Sequence, residues 1–158
     1  MKTVKVVKAG LAELDILTQW RMQVISEVFS LGEEYDDKTL RENNKEYYRK
    51  HISDDTHTAC LAFDVENGMI VGCGGICYQD ELPSPDNPSG SCGYIMNVFT
   101  IPELRKNGVG RSIVRFLIDD AKSRGVDKIY LESSEKAKNM YYAIGFTDMV
   151  DYMKLKDF

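Results

Sequence analysis

The sequence predicts an α/β (α+β) fold in which one mixed, mostly antiparallel sheet carries helices on both faces. Its 158 residues suit a single domain over 1–158. Asn67-Gly68, between two β-rich runs, marks an antiparallel hairpin. Farther along, a strand enters a double-glycine turn that opens a helix, and a second strand and helix follow. That alternation is typical of βαβ units.

The elements are predicted from periodicity and from residues that favour turns and helix ends. Asp36 or Asp37 can cap the second helix, and Gly125 can end the third. Pro83, Pro85 and Pro88 mark the longest loop. The predicted elements are strand 4–9, helix 11–29, a helix from 36 or 37 to 51, strands 57–65, 69–79 and 93–100, a helix to 124, strand 126–132, helix 134–144 and strand 146–156.

Composition excludes several classes of function. The chain is 43% hydrophobic and 28% charged, an ordinary mixture for a soluble protein. No apolar run approaches the roughly 20 residues of a membrane span, and the N-terminus lacks a signal-peptide pattern, so we expect a cytoplasmic protein. A formal net charge of −5 argues against non-specific nucleic-acid binding and mildly favours a cationic substrate.

Cysteine and histidine positions give no metal-site pattern. None of the four cysteines forms a C-x-x-C pair, and reduced thiols fit the expected compartment. Cys73 and Cys77 share one face of a predicted strand, where buried thiols are expected. His51 and His57 bracket two aspartates, and we expect them to face solvent. No metal is therefore predicted.

The double-glycine turn predicts an anion site. Gly108 and Gly110 would let the main chain approach a ligand closely. The helix start after them exposes N–H groups at the positive end of its dipole. Arg105, Lys106 and Arg111 add positive charge in an otherwise acidic chain. A bound phosphate is therefore expected here.

Two common phosphate motifs are absent. Ile113 stands where a dinucleotide fingerprint would have its third glycine. The sequence also contains no Gly-Lys pair, which a P-loop requires.

The turn over 105–110 resembles the R/Q-x-x-G-x-G/A pyrophosphate loop of the GCN5-related N-acetyltransferases, which holds coenzyme A. A later family segment, N-x-x-A-x-x-x-Y-x-x-x-G-F, is matched at Ala137, Tyr141, Gly145 and Phe146. Ser134 replaces its usual asparagine. The two motifs stand in the family's order and cover roughly the C-terminal two-fifths of the chain.

The resemblance implies acetyl-CoA as cosubstrate and direct transfer of its acetyl group to an amine in a ternary complex. The strand before the loop would hold the pantetheine and the acetyl carbonyl by its free backbone groups. The implied cofactor contacts are Val98, Phe99, Thr100, Arg105, Lys106, Asn107, Gly108, Val109, Gly110, Arg111 and Ser134.

Tyr141 stands at the family's general-acid position. A phenol with a pKa of about 10 is protonated at neutral pH and can donate to a departing thiolate. The neighbouring Tyr142 is interpreted as a packing residue. Ser134 can contact the cofactor or can serve only as a helix N-cap.

The general base and acceptor contacts stay open. The strand before the loop has no carboxylate, so Asp80, Glu81 or a chain of waters could accept the proton of the amine. Asn97 could position a water or the acceptor. Arg21 lies on a helix that borders the acceptor pocket in this family, where it could pair with a substrate carboxylate or within the protein.

Three functions are considered possible from these residues and motifs. The leading hypothesis is a cytoplasmic acetyl-CoA-dependent N-acetyltransferase acting on a small-molecule or peptide amine, with no nucleic-acid or membrane partner. A non-catalytic acyl-CoA sensor of the same fold is the alternative, motivated by the missing strand carboxylate. The third is a nucleotide-binding protein that uses the loop for another phosphate. Homodimer formation is left open.

Overall fold

A five-stranded sheet forms the centre of the computed structural model, which describes residues 1–157. The first four strands in sheet order pair antiparallel, and the fourth pairs parallel with the fifth. The predicted mixed, mostly antiparallel sheet is confirmed. The order along the sheet is also the order along the chain: β1 Val4–Ala9, β2 His57–Asp64, β3 Ile70–Asp80, β4 Ser91–Thr100 and β5 Lys128–Leu131.

Helices cover both faces of the sheet, as predicted. On one face, Leu17 and Tyr48 belong to a core cluster with Ala59 of β2. On the other, Ile113 and Leu117 pack with residues of β3 and β4 in a second cluster. Burial of these apolar faces is the main stabilising contribution. The helices are α1 Leu14–Val28, α2 Lys38–Ser53, α3 Val109–Ser123 and α4 Lys138–Ile144.

A bulge in β4 redirects its side chains. Met96 pairs with Gly75 and Phe99 with Cys73, so β4 has one more residue than β3 between these pairs. Asn97 lies in the bulge with a φ of 58°. An unbroken strand would turn Ile95 and Phe99 to the same face. Because of the extra residue, Ile95 joins the α3 side and Phe99 the α1 side.

Two element predictions were wrong near the C-terminus. Residues 147–157 contain no strand, although 146–156 was predicted as one. Its apolar residues have no buried face to enter: Val150 is 85% exposed and Met153 98%. Side-chain hydrogen bonds, such as the one from Lys128 Nζ to Tyr152 Oη, hold part of this segment instead. The last helix begins at Lys138 rather than at residue 134, so Ser134 is not its N-cap.

A helix that crosses a membrane must be both long and apolar. Over residues 1–157, no helix meets both requirements for crossing a membrane.

Candidate active site

A cleft opens where β4 and β5 separate. Their last pair joins Ile95 and Leu131, after which β4 continues to Thr100. The cleft has a volume of about 280 Å³. Five of the candidate site residues named from the sequence meet in it, contributed by α1, β4, the segment after β5, and α4. Its lining residues are Arg21, Val24, Val28, Ile95, Met96, Asn97, Val98, Glu132, Ser134, Ala137 and Tyr141.

The free edge of β4 supplies backbone groups to this cleft. Beyond Ile95, no residue of β5 pairs with β4 over the described chain. Val98 lies on this edge and lines the cleft, whereas Phe99 turns away and contacts Trp20 of α1, with ring centroids 6.1 Å apart. Unpaired strand groups bind an extended ligand readily. This edge therefore offers hydrogen bonds to a linear chain.

The glycine loop ends in a left-handed turn at the start of α3. Gly108 has a φ of +86°, a conformation that favours glycine. Ser112 N donates to Gly108 O at 3.1 Å, the first bond of the helix. The N–H groups of Val109, Gly110 and Arg111 precede that bond and have no partner within the helix. The start of α3 therefore has the unpaired backbone donors that the predicted anion site requires.

The three basic residues of the loop differ in their contacts. Arg105 forms an ion pair with Glu27 of α1, and its Nε donates to Thr100 O at 3.1 Å. Lys106 and Arg111 are exposed and take part in no ion pair among residues 1–157. Arg105 therefore holds the loop against α1, while the other two present free charge.

Tyr141 joins the cleft from α4. Its side chain is 7% exposed, and its ring packs edge-to-face on Phe146 with centroids 5.6 Å apart. Burial raises the pKa of Tyr141 above its ordinary value, because the phenolate would lose hydration. The hydroxyl therefore stays protonated at neutral pH. Tyr142 is 44% exposed and donates to Asp148 at 2.8 Å, outside this cleft.

Arg21 and Asn97 are hydrogen-bonded to each other. Arg21 Nη1 donates to Asn97 Oδ1 at 3.0 Å, and its Nε donates to Asn44 Oδ1 at 3.1 Å. Asn97 Nδ2 faces the Tyr48 hydroxyl at 3.5 Å. Asn97 makes these contacts from the bulge in β4, where its backbone has a positive φ that is uncommon for residues other than glycine. The guanidinium is thus fixed at the wall of the cleft by neutral groups.

The carboxylates proposed from the sequence lie elsewhere. Asp80 pairs with Ser91 at the far end of β4, and Glu81 forms an ion pair with Lys128 at 3.0 Å. Neither lines the cleft. Glu132, which sequence reasoning missed, does line it. Its position directly after a parallel strand was the available signal, because ligands collect at the carboxyl ends of such strands.

The expectation that both histidines face solvent was wrong for His57. Its side chain is 4% exposed and its Nδ1 lies 2.9 Å from the Tyr47 hydroxyl. His57 begins β2 and points under α2, which the sequence pattern did not reveal. Residues 1–157 contain no group of histidine, cysteine and acidic side chains that could hold a metal ion.

Comparison with known proteins identifies the class. The family model described as "Acetyltransferase (GNAT) family" matches residues 20–146. The chain therefore belongs to the GNAT acetyltransferase family, as the loop and the Tyr141 segment indicated. Proteins of this family use acetyl-CoA.

Two curated relatives carry the same name. A glucosamine 6-phosphate N-acetyltransferase from Trypanosoma brucei brucei is 31% identical over 88 residues, 56% of this chain and 58% of that protein. The enzyme of that name from Arabidopsis thaliana is 27% identical over 94 residues, 60% of this chain and 61% of that protein. The chain thus matches about three-fifths of the length of these relatives.

A solved structure extends the similarity to nearly the whole fold. It is described as a predicted acetyltransferase with acetyl-CoA, from Clostridium acetobutylicum. The TM-score is 0.83 at 25% identity, covering 98% of this chain and 96% of that chain. The arrangement of sheet and helices is therefore that of a GNAT acetyltransferase.

Proposed function

We propose that this chain transfers the acetyl group of acetyl-CoA to a primary amine of a small molecule or peptide, by direct attack in a ternary complex. The observation that supports this most is the convergence at one cleft of a free strand edge, a buried protonated phenol and a carboxylate. These belong to Val98, Tyr141 and Glu132. The small-molecule acceptors named for the curated relatives favour a small molecule here.

The residues of the loop suit the pyrophosphate of the cosubstrate. The free N–H groups at the start of α3 and the charges of Lys106 and Arg111 would hold it. A Cβ placed on Gly110 would lie 3.1 Å from Met140 Sδ and 3.7 Å from Thr100 Oγ1, so little space remains around the loop for a side chain. When bound, acetyl-CoA supplies the activated thioester.

Backbone groups on the free edge of β4 would stabilise negative charge on the reacting carbonyl. The N–H groups near Val98 are already fixed by the strand, so they need no reorganisation during the reaction. Phe99 and Thr100 continue this edge towards the loop. Ser134, on the opposite wall, is exposed and free to contact the same ligand.

Tyr141 is proposed as the general acid. Its burial keeps the proton on the hydroxyl, and it would give that proton to the departing sulfur. Its packing on Phe146 fixes the ring, which limits the conformational cost of reaching the right geometry. No described residue accepts a hydrogen bond from its hydroxyl, so the proton is free for a ligand.

Glu132 is proposed as the group that receives the proton of the amine, directly or through water. An alkyl ammonium with a pKa of about 10.4 must lose a proton before it can attack. Glu132 is the carboxylate in the lining of the cleft, and it is exposed enough to exchange protons with solvent. Its presence in the cleft supports a catalytic role over a non-catalytic sensor, which was considered because β4 carries no carboxylate.

The test is an acetyl-CoA turnover assay with a panel of amines that includes glucosamine 6-phosphate, glucosamine, polyamines, aminoglycosides, amino acids and peptides. Release of free CoA must be matched by an acetylated product of the expected mass. We expect at least one acceptor to be turned over at a rate that depends on its concentration. Tight acetyl-CoA binding with no acetylated product from any class would instead support the sensor function.

A further inference from the structure

The lining of the cleft includes one positive side chain, Arg21, for which residues 1–157 supply no ion-pair partner. The ion pairs of residues 1–157 include Arg41, Arg49, Arg105 and Arg124, but none of them involves Arg21. Its hydrogen-bond partners are the two neutral amide oxygens of Asn44 and Asn97. A partly buried guanidinium without an anion bears a desolvation cost that a negatively charged ligand would offset.

Both amides are held with their oxygens towards Arg21. Asn44 Nδ2 donates to Leu40 O at 2.8 Å inside α2, which leaves its oxygen for the guanidinium. Asn97 Nδ2 faces the Tyr48 hydroxyl on the other side. The two contacts use Nε and Nη1 of Arg21, so N–H groups of a five-donor side chain remain available. The side chain is thereby preorganised with donors to spare.

The two charged side chains of the cleft, Arg21 and Glu132, lie on different walls. Arg21 comes from α1, on the side of the Asn97 bulge, and Glu132 follows β5 on the other wall. Among the residues that line the cleft, these two are the charged ones. A ligand with both an ammonium and an anionic group would complement this pair, whereas a simple alkyl amine would leave Arg21 unmatched.

We infer that the acceptor carries an anionic group, a carboxylate or a phosphate, and that Arg21 binds it. This inference depends on the proposed N-acetyltransferase function and adds the chemical class of its acceptor. Arg21 is then a specificity-determining residue: it distinguishes amines by their second functional group. Arg suits this role because its planar fork matches the oxygens of both groups.

The experiment compares matched acceptors. Glucosamine 6-phosphate is set against glucosamine to test a phosphate, and β-alanine against propylamine to test a carboxylate. In the wild type we expect kcat/KM to be about tenfold or more higher for the anionic member of at least one pair. In Arg21→Gln that ratio should fall towards one, and Arg21→Lys should restore it in part. Arg115→Gln, an exposed change on α3, should keep the wild-type ratio.

Calorimetric binding to the CoA-saturated protein separates this inference from the proposed function. Binding of an anionic acceptor that Arg21→Gln loses, even without turnover, would support the inference while the catalytic proposal failed. Turnover of neutral and anionic acceptors at equal kcat/KM would overturn it while the catalytic proposal stood. A preference for anionic acceptors that survives in Arg21→Gln would also overturn it, as would failure of every anionic acceptor to bind or react.

Discussion

His57 should make the protein acid-labile, because it is buried without a charge partner. Burial lowers its pKa from 6.5 to about 4, and the positive charges of His51 and Arg21 act in the same direction. Its Nε2 has no hydrogen-bond partner in the described structure and lies against Gly75, where a Cβ would come within 2.7 Å. Protonation would therefore place an unsolvated charge beneath α2.

Proton linkage gives the sign and the size of the change in the free energy of unfolding. Between the two pKa values of His57 the unfolded chain binds more protons, so the free energy of unfolding falls as pH drops from 6.5 towards 4. Above about pH 7 the contribution is constant. By about pH 4.5 the loss amounts to about 2.5 kcal/mol, which is about two pH units at 1.36 kcal/mol each, slightly reduced because native His57 begins to bind a proton there.

Urea denaturation from about pH 7.5 to about pH 4.5 measures this loss. His57→Gln should be less stable at neutral pH, because it breaks the contact with Tyr47, but its stability should fall less steeply with acid. Subtracting the variant's free energy of unfolding from that of the wild type at each pH cancels the contribution of the other titrating groups. His51→Gln is the matched control and should keep most of the wild-type slope. Parallel pH profiles for wild type and His57→Gln would refute the reasoning.

Three further results are expected at the site. Gly110→Val should weaken CoA binding tenfold or more, about 1.4 kcal/mol, as measured by calorimetry. Gly10→Val, far from the loop, is the control and should bind CoA as the wild type does. Wild-type CoA affinity in Gly110→Val would contradict the assignment of the loop as the pyrophosphate site. Alanine at Lys106 or Arg111 should weaken CoA binding and flatten its salt dependence, and an unchanged salt slope would count against their role. Glu132→Gln should lower kcat/KM by about 10²-fold near neutral pH. The loss should be smaller at higher pH, because more of the acceptor is then already the free amine. A loss of kcat/KM that is the same at every pH would argue against Glu132 as the general base.

The glycine loop was predictable from the sequence because its chemistry is local. Gly108 and Gly110 are needed where a turn meets a helix start, and neighbouring residues carry the charge. The Asn67-Gly68 hairpin is a similar case, with a φ of +70° at Gly68. Short-range geometry decides such features, so residue types and spacing suffice.

The side of the cleft that carries Arg21 and Asn97 was only partly predictable, because it is assembled over long sequence distances. Arg21 meets Asn97, 76 positions later, and the bulge that turns Asn97 has no distinct sequence signal. Glu132 became a candidate only once β5 was seen to end beside β4. The alternation over 146–156 indicated a strand, but a strand also needs a partner, and the described residues supply none.

The catalytic proposal is tested most directly by the turnover number of Tyr141→Phe. The substitution keeps the ring and its packing on Phe146, and it deletes the proton held in the cleft. With an acceptor from the panel, kcat should fall by about 10²-fold or more while CoA affinity changes little. Tyr142→Phe, which removes only an exposed hydrogen bond to Asp148, should stay close to wild type. Wild-type turnover in Tyr141→Phe would contradict the assignment of Tyr141 as the general acid.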